Sequence, residues 1–198
     1  MKNNTRRYDA NSMPDVELLE EALAEVKVKK RYKSVINNTI GTLLVVAAVA
    51  ALIAMFFLPV LQIHGNSMTP NVNAGEIVVA LKGSEFKKGD IVGLYIGNKL
   101  LVKRVIGEQG DWVDIKPDGT VFVNGEMLDE PYITDKSFGD CNISLPYQVP
   151  DGRYFVMGDH RSTSADSRNT SIGCIAYEQI VGRIAFRIWP LSDIGPMT

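Results

Sequence analysis

From Ile40 to Leu61 the chain runs for about 22 residues without a charged side chain, and no other feature constrains its fold so strongly. As a helix, such a run is roughly 33 Å long, enough to cross a hydrocarbon core of about 30 Å. A transmembrane helix is therefore expected over residues 39–61. A cleaved signal sequence fits less well. The charged stretch before the run is too long, the apolar stretch exceeds an ordinary signal core, and Phe56-Phe57-Leu58-Pro59 offers no small-residue cleavage site. A wholly buried core helix is the other alternative. Lys27, Lys29, Lys30, Arg31 and Lys33 precede the run with no acid among them. By the positive-inside rule they hold residues 1–38 in the cytoplasm and send residues 62–198 to the outer side of a plasma membrane crossed once.

The part beyond the run suffices for one head of about 130 residues, a common domain size. A net charge of −2 over the whole chain gives no reason to expect a nucleic-acid partner. Cys141 and Cys174 both fall in the head, where a disulfide and two free thiols are equally open. Neither their spacing nor that of His64 and His160 matches a metal site, so no metal and no organic cofactor is expected.

Near the N-terminus, Ser12-Met13-Pro14-Asp15 reads as a helix start, and Val16, Leu19, Leu23 and Val26 follow at helical spacing. This short amphipathic helix suits either a partner or a plain cytoplasmic segment. After the run the texture changes to short apolar stretches divided by turn residues, as in a mainly β domain. Strands are expected over Glu76 to Leu81, Asp90 to Ile96, Leu100 to Ile106, Trp112 to Ile115, Val121 to Val123, Arg153 to Met157 and Ile180 to Trp189, with Gly97-Asn98 and Asn124-Gly125 as tight turns. In the last strand Ile180, Gly182, Ile184, Phe186 and Ile188 should share one face, opposite Arg183 and Arg187. The fold expected is a coiled β-sheet head with a small β insertion at about 111–150.

Three features carry chemistry. Gly65-Asn66-Ser67-Met68-Thr69-Pro70 sets a serine about six residues past the run, so that even an extended chain keeps it within roughly 20 Å of a membrane. Alone, it is an ordinary surface turn. In Leu100-Leu101-Val102-Lys103-Arg104-Val105-Ile106, Lys103 and Arg104 must point to opposite faces, one of them toward a core or cleft. An edge lysine that deters aggregation is the structural alternative. At an ordinary pKa of about 10.4 only about one lysine in 2,500 is neutral at pH 7. Burial among apolar groups lowers that pKa, and a desolvated Lys103 can then accept the proton of Ser67. Lastly, Gly158 to Arg168 packs two acids, two arginines and four hydroxyls into one loop, which suits a solvated loop or a set of side chains bracing a site.

In this order the three features resemble one family, the bacterial type I signal peptidases, which are membrane-anchored Ser/Lys endopeptidases. The matching stretches also include Glu76-Ile77-Val78-Val79, Lys87-Lys88-Gly89-Asp90-Ile91-Val92 and Arg187-Ile188-Trp189-Pro190-Leu191. They cover the span and nearly all of the head, and leave out the first 35 or so residues. The resemblance implies Ser67 as nucleophile, Lys103 as general base, Ser164 as the hydroxyl that orients the lysine, and the Ser67 backbone N–H as oxyanion donor. Arg104, Asp159, Asp166 and Arg168 fall at supporting positions, and Met68 at a substrate-lining one. Gly65 stands where some members carry a hydroxyl residue, and His160 where asparagine is more usual. Implied partners are preproteins bearing signal peptides, cut after A-x-A-like sites at the outer membrane surface, together with membrane lipid; association with the secretion machinery is allowed. A peptidase dedicated to a few exported substrates and an inactive anchored peptide-binding homologue stay open. The span and the missing DNA-binding segment argue against a self-cleaving repressor, and the lysine argues against the endoplasmic-reticulum branch, which has histidine there.

Overall fold

The computed structural model describes residues 16–83 and 85–197. The chain divides into two compact units, one up to Leu52 and one from Ile53 onward. A single helix, α1 (Val16–Phe57), makes up the described part of the first unit. The expected amphipathic helix and the expected span are thus one element of 42 residues, since no Gly or Pro stands between Val26 and Ile40 to interrupt it. The helix start expected at Ser12-Met13-Pro14-Asp15 lies outside the described residues. Among those residues α1 is the one helix long and apolar enough to cross a membrane, with a mean hydropathy of 2.7 in its apolar stretch. It stops at Phe57, ahead of the expected end at Leu61, because Pro59 has no N–H to donate and disfavours helical backbone at Leu58. Val60–Gln62 instead becomes strand β1.

The second unit is mainly β. With β1, the strands β2 (Ile77–Leu81), β3 (Ile91–Ile96), β4 (Lys99–Gly107), β9 (Arg153–Met157), β10 (Ile175–Ala176), β11 (Ile180–Trp189) and β12 (Gly195–Pro196) form an eight-stranded antiparallel sheet. Its order is β1-β2-β11-β3-β4-β9-β10, with β12 beside β11. Between β4 and β9 the chain makes a separate four-stranded sheet from β5 (Trp112–Ile115), β6 (Val121–Val123), β7 (Glu126–Met127) and β8 (Tyr147–Gln148), which is the expected insertion. The β3–β4 hairpin closes on Gly97-Asn98, with Ile96 opposite Lys99. This puts Val92 opposite Lys103 and fixes the register of the strand that carries the lysine.

Two strands depart from simple alternation. In β4 the run from Val102 to Ile106 is buried throughout, Lys103 and Arg104 included, so neither of those two side chains reaches solvent. The cause is cover on both faces: Val102 packs with Met68, Val72 and Ile184, whereas Val105 packs with Phe86, Val92 and Val156. In β11 the expected single face breaks at Phe186, which is 39 % exposed although Ile184 is buried. A register shift against β2 between Ile184 and Phe186 resets the in–out alternation there. Cys141 and Cys174 are free thiols, the second of them buried.

Candidate active site

The serine turn is built on the end of β1. Ile63 N–H donates to Glu76 O at 2.9 Å, and Gly75 N–H returns to Ile63 O at 2.9 Å, which ties the entry of the turn to β2. Gly65 takes a φ of +99°, a left-handed backbone that a side chain would strain. The exit is pinned by a helical turn, Val72 N–H to Met68 O at 2.9 Å, and by burial of Met68 and Val72 in the core. Ser67 is left half-buried between two fixed points.

Lys103 reaches this serine from the middle of β4. Its Nζ lies 2.6 Å from Ser67 Oγ and 3.0 Å from Ser164 Oγ. The residue is 2 % exposed, and burial brings the amine down from 10.5 to about 8; the Asp166 carboxylate pulls the other way, Arg168 again lowers it, and Asp159 raises it. About one molecule in ten then holds a neutral amine at pH 7. The three residues expected to work together are thus brought together.

The loop after β9 surrounds the pair. Gly158 N–H donates to Asp166 Oδ2 at 3.0 Å, Ser167 Oγ accepts from Val156 N–H at 2.9 Å, and His160 N–H donates to Ser67 O at 3.0 Å. A Cβ at Gly158 would come 2.2 Å from Ser164 Oγ and 2.5 Å from Ser67 O, so the loop closes only on glycine. The His160 imidazole turns to Thr163 Oγ1, 2.9 Å from its Nδ1. The bond to Ser67 is a backbone one that asparagine would make equally well. Arg168 grips Asp166 with two bonds of 2.8 Å. Burial works against the Asp166 carboxylate, but the Arg168 hydrogen bonds and charge hold its pKa below the ordinary value. On the other face of β4, Arg104 binds Asp159 twice, at 2.9 and 2.8 Å.

Several contributors have no signature in the sequence. Asn71 Nδ2 donates to Asp159 Oδ2 at 2.8 Å and to Tyr132 O at 2.6 Å, while its carbonyl accepts from Arg187 Nη2 at 2.6 Å. Arg187 in turn pairs with buried Glu76 at 3.0 Å. Arg161 is buried against Glu130. These partners are far apart in sequence, and the 158–168 loop, with two acids and two arginines, gives no hint of them because its own charges balance.

Met68 is 2 % exposed, yet it lines a small pocket of about 20 Å³ beside Ser67, together with Gln62, Ile63, His64, Gly65 and Leu100 to Val102. Two strand edges border it. Among the described residues, β1 pairs only with β2, and β4 meets β9 only from Arg104 onward. A hydroxyl against a buried amine of lowered pKa, at the side of a slot bordered by two strand edges, is equipped for acyl transfer without histidine.

Comparison with known proteins gives the family. The family model for signal peptidase, peptidase S26, matches residues 36–189. Signal peptidase I of Bacillus licheniformis is 34% identical over 175 residues, covering 82% of this chain and 93% of its own. Signal peptidase I T of Bacillus subtilis (strain 168) is 38% identical over 169 residues, 78% of this chain and 86% of its own. Among solved structures, a signal peptidase I of Enterococcus faecalis V583 is 26% identical, covers 51% of this chain and 97% of its own, and has a TM-score of 0.42. The chain belongs to the signal peptidase family, peptidase S26, and is a serine endopeptidase.

Proposed function

We propose that this chain removes signal peptides from exported preproteins with Ser67 as nucleophile and Lys103 as general base. The observation that carries the reading is the 2.6 Å approach of the Lys103 amine to Ser67 Oγ, at a site where burial lowers the amine to about 8. In the first step Oγ attacks the scissile carbonyl carbon while its proton passes to neutral Nζ. The resulting oxyanion is met by the Ser67 backbone N–H, which donates to no backbone carbonyl among the described residues. The ammonium then protonates the leaving amine, and the C–N bond breaks. Water, deprotonated by the same lysine, hydrolyses the acyl-enzyme and restores Ser67. Ser164 orients the amine, and the Arg104–Asp159 and Asp166–Arg168 pairs hold strand and loop in place.

The substrate reading follows from the slot. An extended segment can pair with the open edges beside Gln62 to Gly65 and Leu100 to Val102, as a strand added to a sheet. The space near Met68 and Ser67 suits a methyl group and little more, which favours alanine-like side chains before the cut. The apolar stretch of α1 within residues 39–61 lies in the membrane, residues 1–38 stay in the cytoplasm, and the head from 62 to 198 works at the outer surface. Exposed Met55, Phe56, Phe57 and Val60 offer lipid contact just before that head. The decisive test is cleavage of several purified preproteins by the detergent-solubilised protein and by folded Ser67→Ala and Lys103→Ala variants. Cutting after A-x-A by the wild type alone supports the reading. Full activity of the Lys103 variant removes the lysine from it, and failure of the wild type on every preprotein points to dedicated substrates.

A further inference from the structure

The insertion does more than decorate the head. Its stretch from Glu130 to Gly139 touches all three buried arginines around the site. Glu130 forms a two-bond ion pair with Arg161, Nη1 to Oε2 being 3.2 Å. The ring of Tyr132 lies 3.9 Å from Arg104 Cζ, close enough for a cation–π contact. The carbonyls of Ser137 and Phe138 accept from Arg168 Nη1 at 3.3 and 2.9 Å. At Gly139 a Cβ would fall 2.5 Å from Arg168 Nη1 and 2.6 Å from Arg161 O, so the backbone runs directly against the arginines. Tyr132 also joins the first two contacts, because its hydroxyl donates to Glu130 Oε1 at 2.9 Å.

From Arg161 these contacts lead to the reacting atoms. Arg161 Nε donates to Gly158 O at 3.1 Å, the next residues carry the His160 N–H that holds Ser67 O, and Ser164 N–H donates to His160 O at 3.2 Å. Burying an ion pair such as Glu130–Arg161 adds little stability compared with an apolar pair of the same size. Its particular effect is geometric, since two bonded planar groups fix the direction as well as the distance of the loop.

We infer that Glu130 and Tyr132 are positioning residues of the peptidase reaction, acting through Arg161 and Arg104 to keep Ser67, Ser164 and Lys103 in contact and water away from the amine. The inference rests on the Ser67–Lys103 reading. If the strap loosens, the loop shifts, kcat drops, and the better-hydrated amine regains a higher pKa, which moves the acid limb of the pH–rate profile to higher pH.

The test uses the full chain in detergent with a preprotein substrate, and measures kcat, KM and the pH profile for Tyr132→Leu, Tyr132→Phe and Glu130→Gln, with rates scaled to the folded fraction from near-UV circular dichroism. Tyr132→Leu should lower kcat by about 10- to 100-fold, leave KM within about threefold and shift the acid limb upward. Tyr132→Phe, which keeps the ring over Arg104, should recover most of that loss. Glu130→Gln, which keeps the shape but not the charge, should fall between them with the same direction of shift. Should Tyr132→Leu fail to fold, Glu130→Gln decides alone. Wild-type kcat and an unmoved limb in the folded variants would overturn the inference, and so would a rise in KM alone, which belongs to a substrate contact. Lys103→Ala is run alongside: if it still cleaves, the dyad itself is wrong, whereas an inactive Lys103→Ala beside fully active strap variants rejects only the strap.

Discussion

Two adjacent cations on β4, Lys103 and Arg104, are equally buried and chemically opposite. Arg104 meets Asp159 with two hydrogen bonds, gives a third to Gly89 O at 2.7 Å and lies over Tyr132. Its charge is matched by that carboxylate, 2.8 Å away. Lys103 meets two hydroxyls instead of a carboxylate, and Asp166 and Asp159 act on it only from a distance. A hydroxyl satisfies an amine without pinning its charge, so desolvation outweighs the distant acids and the amine comes within reach of neutrality. Burial by itself therefore does not mark a catalytic base. What distinguishes the two faces is the kind of partner waiting on each.

Exchanging the cations' properties is the sharpest way to break this contrast. Lys103→Arg puts a group that cannot deprotonate against Ser67, and cleavage should fall by about 10,000-fold, as on losing the base outright. Substantial turnover by that variant would contradict the difference drawn between the two faces. On the other face, Arg104→Met leaves Asp159 buried without its cation, and a stability loss of about 3–5 kcal/mol is expected, read as a Tm lowered by roughly 10 °C. The folded fraction of that variant should cut about 10- to 100-fold more slowly, since Arg104 also carries the Tyr132 contact to the site. Ser164→Ala removes one of the two hydroxyls around the amine and should reduce kcat by about 10- to 100-fold with a small change in KM. The pH profile probes the amine itself. Only the neutral form can take a proton, so kcat/KM should rise about tenfold per unit below a pKa near 8 and level off above it. A limb centred near 10 would mean a hydrated amine, no different from a surface lysine. Such a lysine sets the lower bound. Lys116, 53 % exposed at its side chain beside Asp114, should yield about 0.2–1 kcal/mol when changed to alanine and leave cleavage unaltered.

How much of this was legible in the sequence varies from residue to residue. The spans of β5, β6, β9 and β11 could be read because turn glycines and prolines bound short apolar stretches, and those signals are local. Ser67, Lys103 and the Gly158–Arg168 loop could be read because their order along the chain is distinctive. Phe186 was misplaced because a bulge depends on the neighbouring strand and not on the strand's own pattern. Glu130, Tyr132 and Asn71 went unnoticed because no periodicity links them to Arg161, Arg104 and Asp159.

By itself, then, the sequence determined an apolar helix and a mainly β head with a small β insertion, and it marked Ser67, Lys103 and Ser164 as candidates for the proposed reacting set. All of these rest on local chemistry: apolar run length, alternation, turn residues and residue type. Only the tertiary structure decided that both faces of β4 are covered, that Lys103 faces hydroxyls while Arg104 faces a carboxylate, and that the insertion braces the site. Those outcomes depend on side chains dozens of residues apart arriving at the same place, and a lysine's pKa is set by what surrounds it in space.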